Sequence, residues 1–354
     1  MLSRDEYLKM PLKERFIKLD PEQEARAEEL HRNSLVIDLH THVLHEDFGA
    51  YVPRIQSSQV DGLFEAVGAV AEDFALSMND LGRYLKEIEK HPDFMPAYCA
   101  QDFLDAKAQG KQAVMFQLEP QSFGRKIDRA EIAYGLGIRM ALLVFNTRNH
   151  VGDGCGERTN AGLSYLGLEL VELMNSLGML IDLSHCGIQT TLDAIEASKD
   201  PVMCNHVGAR ALYPSMKRLK TDEELKALAK KGGIAGVSAI PNQLSGNVEQ
   251  GIEDMLNHID YIVKLIGVDH VAIGLDIVFG DHVEYHRKAA KTTFKLDYIG
   301  QGLDAPYMYG IESPEEWPNI TRGLVSRGYS DEEIKKILGG NALRIIEELS
   351  LIHI

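Results

Sequence analysis

The sequence predicts a (β/α)8 barrel of the α/β class, and three observations carry that prediction. Short apolar runs recur along the chain, and helical patterns separate most of them. At 354 residues the chain has the length of one such barrel with an added segment. Near-continuous apolar strands alternating with helices imply a parallel sheet covered on both faces. A doubly wound open sheet would show the same alternation. No Gly-x-Gly-x-x-Gly follows any run, so the dinucleotide-binding form of that alternative loses support.

The elements follow in chain order. Residues 3–32 read as one or two helices. In "DPEQEARAEELHR", Asp20 is a helix N-cap, Pro21 stands in the first turn and acids come early. We expect residues 1–33 to be a helical extension packed on the barrel, and 34–354 to be a single barrel domain. The strand candidates are "LVIDLH" (35–40), "LFEAVGAVA" (63–71, the weakest), "AVMFQLE" (113–119), "MALLVF" (140–145), "MLIDLSH" (179–185), "PVMCNH" (201–206), "IAGVSAI" (234–240) and "VAIGLD" (271–276). Helical patterns such as "LGLELVELMNSLG", "TDEELKALAKKGG" and "IEDMLNHIDYIVKLIG" have an apolar period near 3.6 and end in glycine.

Composition narrows the partners. A hydrophobic fraction of 45% supports a large core, and a net charge of −16 opposes a nucleic-acid partner. The nearest basic cluster, "MKRLK" (216–220), is too small for a polyanion. The four cysteines Cys99, Cys155, Cys186 and Cys204 form no C-x-x-C pair, so reduced thiols are expected. The first residues carry charges throughout and no apolar signal core, and no run has the roughly 20 apolar residues of a membrane span. A cytoplasmic protein with no membrane partner is the expectation.

The run ends carry chemistry. "VIDLHTH" ends in His40 and His42, the next runs in Glu119, His185 and His206, and "VAIGLD" in Asp276. A lone histidine at a strand end is ordinarily a hydrogen-bonded core or loop residue. Ligand-type residues at successive strand ends are different, because a barrel gathers those ends at one mouth. On a strand, residues i and i+2 share a face, so both imidazoles of His40 and His42 can grip one cation. Imidazole suits zinc and related ions, and a carboxylate such as Glu119 can bridge two. His45, His150, His282 and His286 stand near strand-end loops without this pattern; His31, His91, His258 and His353 read as exposed.

With these residues in place, the chain resembles the membrane (renal) dipeptidase family, peptidase M19, of the amidohydrolase superfamily. The resemblance spans roughly residues 34–349. It rests on "GLSYLGLELVELMNSLGMLIDLSHCG", "PVMCNHVGAR", "VAIGLD" and "LVSRGYSDEEIKKILGGNALRI". It implies a barrel holding two divalent metal ions, with zinc the expected metal. His40 and His42 would bind the first ion, Glu119 would bridge, and His185 and His206 would bind the second. Asp276 would hold the hydrolytic water and handle its proton. A homodimer is also implied, although no interface patch is legible.

Three departures stand out. The family opens with His-x-Asp, whereas this chain has His40-Thr41-His42, which keeps a ligand and removes a negative charge. The family histidine that polarises the scissile carbonyl aligns with Phe145, which cannot donate a hydrogen bond. His150 would then be a replacement entering from the loop. An "NFY"-like strand end reads "SAI" (238–240), while Arg218, or Lys217 without a one-residue insertion, aligns with the arginine that grips the substrate carboxylate. The expected activity is metal-dependent hydrolysis of a small amide, a dipeptide first. The alternatives are a lactam, cyclic amide, ester or C–C hydrolase, and a silent binding protein on the same barrel.

Overall fold

A computed structural model describes residues 4–44, 48–68, 73–276, 287, 290–303 and 307–350. Its strands, in chain order, are β1 (Ile37–Thr41), β2 (Gly62–Val67), β3 (Phe94–Pro96), β4 (Gln112–Leu118), β5 (Ile138–Leu142), β6 (Leu180–Asp182), β7 (Met203–Val207), β8 (Ile234–Val237), β9 (Gln250–Gly251), β10 (Val271–Ile273) and β11 (Met308–Tyr309). The main sheet runs β1-β2-β4-β5-β6-β7-β8-β10, all parallel. The Asp276 amide donates to the His40 carbonyl (3.0 Å) and the Leu275 amide to the Asp38 carboxylate (2.9 Å). These bonds join the two ends of the sheet into a (β/α)8 barrel.

Each of the expected apolar runs contributes one of these barrel strands. The short β3 was not foreseen; it pairs the first residues of β4, and β5 takes over where β3 ends. Residues 69–71 of the weakest run lie outside the described residues, as do His45, His282, His286 and His353.

Polarity climbs along the barrel axis. Alternate residues of β4 read Ala113, Met115 and Gln117, with Glu119 following the strand. The first two join Leu39, Phe64, Met140 and Leu180 in a buried apolar cluster, while Gln117 and Glu119 meet the polar mouth. Two glycines let the strands close in. A Cβ on Gly236 or Gly274 would fall 2.1 or 1.8 Å from the Asn205 carbonyl oxygen.

Before the barrel, the helix Pro21–Asn33 starts at Asp20, whose side chain accepts from the Glu22 and Gln23 amides. This helix lies against the helix Pro318–Ser326. His31, read as exposed, is buried between them: its ring meets Thr321 Oγ1 (2.8 Å) and the Ser58 carbonyl (3.0 Å). His258 is buried as well, taking the Ala209 amide and donating to the Leu244 carbonyl. Among the described residues no helix is long and apolar enough to cross a membrane.

Candidate metal centre

The β-strand alternation that put His40 and His42 on one face is modified by irregular pairing. The β1–β2 register shifts between Asp38 and Thr41, and the β7–β8 register between Cys204 and Val207. Each shift spans one of the candidate ligands, His40 or His206. A bulge re-aims side chains at a strand end, which is its common use beside active sites. Glu65 braces the exit of β1. Its buried carboxylate accepts from Thr41 Oγ1 and from the Val43 and Leu44 amides, each at 2.9 Å.

The strand ends then converge. His40 Nε2 lies 3.2 Å from His42 Nε2 and 3.6 Å from Asp276 Oδ1, and His42 Nε2 is 3.4 Å from that same oxygen. The ligand atoms of these three residues all fall within 4.8 Å of one another. His185 Nε2 and His206 Nε2 form a second arm, 2.9 Å apart, and His206 Nε2 reaches Asp276 Oδ2 at 3.8 Å. The rings of His40 and His206 stack at 3.9 Å. Asp276 itself adopts a left-handed backbone, φ 58°, a strained state that aspartate tolerates and active sites often hold.

A polar layer beneath fixes which nitrogen faces the centre. His185 Nδ1 meets Asn146 Oδ1 at 2.7 Å, His206 Nδ1 meets Asn205 Oδ1, and His40 Nδ1 meets Gln117 Oε1 at 3.1 Å. Asn146 Nδ2 donates to the Phe294 carbonyl and Asn205 Nδ2 to the Leu39 carbonyl, so the amide oxygens are the ones turned to the rings. The Nδ1 atoms of His185 and His206 therefore carry the proton and their Nε2 atoms present lone pairs, while His40 Nδ1 has both the Gln117 oxygen and, at 3.2 Å, the Asn205 amide nitrogen beside it. Two lone pairs 2.9 Å apart repel unless a cation sits against them.

Glu119 makes the same demand. It is buried, its Oε2 has no hydrogen-bond partner, and burial pushes its pKa up to about 8, with Asp182 and Asp276 adding to the rise and His42 opposing it. Burial holds His40 down to about 4. Burial also works against charge on His42, but the Asp276 carboxylate, aided by Glu65 and Glu119, outweighs it and raises its pKa. Histidine lone pairs, an orphaned carboxylate oxygen and Asp276 make a donor set that fits divalent metal.

Other predicted site residues fall less simply. Phe145 stacks on the His185 ring at 4.0 Å and is 9% exposed. Arg218 is 1% exposed; its guanidinium donates to the Ser184 carbonyl and, at 2.7 Å, to the His206 carbonyl. It thus clamps the ends of β6 and β7 from behind, and Lys217 is exposed. His150 is exposed, and Ser164 Oγ caps its backbone carbonyl at 2.6 Å. Its ring takes part in none of the contacts described for the centre. Gln117, Asn146, Asp182 and Asn205 escaped the sequence reading. The only available signal was position, at or beside the ends of the same strands.

A sequence model of the membrane dipeptidase family (peptidase family M19) matches residues 24–287 and 279–353. This chain belongs to that family. Dipeptidase tcpJ of Claviceps purpurea is 28% identical over 257 residues, 72% of this chain and 55% of that protein. Dipeptidase 3 of Mus musculus is 28% identical over 226 residues, 62% of this chain and 41% of that protein. The chain spans about half the length of the curated relatives it matches. A solved amidohydrolase from Pseudomonas aeruginosa superposes with a TM-score of 0.83 at 29% identity, covering 91% of this chain and 98% of that one. A metallo peptidase from Rhodobacter sphaeroides, liganded with a phosphinate mimic of the dipeptide L-Ala-D-Ala, shares the fold with a TM-score of 0.74 at 19% identity, covering 89% and 99%.

Proposed function

We propose that this protein is a metal-dependent dipeptidase. The observation that carries the reading is the convergence of His40, His42 and Asp276 on one point, beside the facing lone pairs of His185 and His206 and the orphaned Glu119 oxygen. His40, His42, Glu119, His185 and His206 would hold two divalent ions, zinc by family analogy. Bound there, the metal would polarise a carbonyl and acidify a water toward a pKa of about 7. Asp276 lies within reach of both histidine arms, so its carboxylate takes the water proton and returns it to the leaving amine. Arg218 attracts a substrate carboxylate only by trading away the strand-end carbonyls it now holds.

The test is a dipeptide panel that includes L-Ala-D-Ala, run on zinc-loaded and chelated protein. Amino-acid release that requires metal supports the reading, and silence across the panel sinks it. Phe145 favours a second reading, a small cyclic or non-peptide amide, because it places an apolar ring beside His185 where the family has a hydrogen-bond donor. Turnover of lactams with a silent dipeptide panel would select it.

A further inference from the structure

Asn146 follows the Phe145 strand end and is 2% exposed. Its side chain is used at both ends. Oδ1 takes the proton of His185 Nδ1 at 2.7 Å, and Nδ2 donates to the Phe294 carbonyl at 2.7 Å. Phe294 belongs to the segment 290–303, which packs Ala290, Phe294, Leu296 and Ile299 on Phe145 and Leu142. That segment is tied down elsewhere by the Lys217 amide on the Ile299 carbonyl (2.9 Å) and by the Gln243 side-chain amide on Gln301 Oε1 (3.2 Å).

We infer that Asn146 is a positioning residue that links the aim of His185 to the docking of segment 290–303 beside the centre. The inference rests on the reading of His185 as a metal ligand. Its chemistry is reciprocal. A metal bound at His185 Nε2 would make Nδ1–H a stronger donor to Asn146 Oδ1. An amide whose oxygen is better bound is a stronger donor at Nδ2, because bonds in a chain polarise one another. Filling the centre would therefore tighten the Phe294 anchor, and docking the segment would hold the His185 ring in its binding pose. Phe145 stacks on that ring and packs with Phe294, so the apolar contact follows the same movement.

The test uses Zn2+ alone on the full chain, with zinc affinity by calorimetry and amide hydrogen exchange of peptides covering 290–303. In the wild type, zinc is expected to slow exchange there by about tenfold. Asn146→Asp keeps the acceptor for His185 and removes the donor to Phe294. It should bind zinc within about threefold of wild type while losing the protection. Asn146→Ala should lose the protection and bind zinc about 10–100-fold more weakly; if it does not fold, Asn146→Asp decides alone. Full zinc-induced protection in either variant overturns the inference, as does a wild type that binds zinc with no change in 290–303. A wild type that binds no zinc overturns the metal reading itself, and the inference with it.

Discussion

Asp276 holds a left-handed backbone, and that sets the cleanest substitution at the centre. Asparagine tolerates the same conformation, so Asp276→Asn changes the proton chemistry without adding backbone strain. Turnover is expected to fall by a factor on the order of 10³, with metal content by mass spectrometry unchanged. Retention of more than a tenth of the activity removes Asp276 from its role. His42→Asp returns a negative charge to the pair and should shift metal preference from zinc toward harder ions such as Mn2+, measured by competition. An unchanged preference would exclude His42 as a ligand. The ligand-type residues were legible because they terminate apolar runs. Gln117, Asn146 and Asn205 were not, because an amide has no marked identity until its partners, far away in sequence, are known. His31 and His258 were misread for the same reason. The groups that bury them, Thr321 and Ser58 for His31 and Ala209 and Leu244 for His258, come from other elements.

The helix Pro21–Asn33 ties its own pH sensitivity to that burial. Burial holds His31 down to about 4, below the 6.5 of an exposed imidazole, so the unfolded chain binds the extra proton first. Stability contributed by neutral His31 is complete above about pH 6.5 and is lost as pH falls toward 4, by about 3 kcal/mol. Denaturant melts of His31→Gln should show a flatter profile across that window, and an unaltered slope would contradict the assignment. Within the barrel, Gly274→Ala would drive a Cβ to 1.8 Å from the Asn205 carbonyl oxygen, and it should destabilise by about 3 kcal/mol or more in the same melts. The order of strands and helices was readable from the alternating periods. The register shifts spanning His40 and His206 were not, since a shift depends on the pairing partner and not on the strand's own residues.

At the scale of the whole molecule, a metal held at the proposed centre would couple its binding to the fold. The facing lone pairs of His185 and His206 repel without a cation between them, the buried Glu119 oxygen lacks a partner, and a bound cation would satisfy both. Metal that binds only the folded state stabilises it by about 2.7 kcal/mol at a hundred times its dissociation constant. Chelation should therefore lower the melting temperature by several degrees, roughly as that energy predicts for a domain of this size. A melting point indifferent to chelator would show that the centre contributes nothing to the fold. The single barrel was legible because chain length and alternation agree. How its seam closes was not legible, because it depends on contacts between the first and last barrel strands.

That seam has a consequence for synthesis. The Asp276 amide bonds the His40 carbonyl, so the proposed first ligand and the proposed proton carrier meet only where the last barrel strand meets the first. A chain still on the ribosome and short of residue 271 already holds every candidate histidine, along with Glu119, yet has neither Asp276 nor the closing strand β10. The proposed proton carrier would therefore join its histidine partners only as the barrel closes, and a chain cut before residue 271 would lack it.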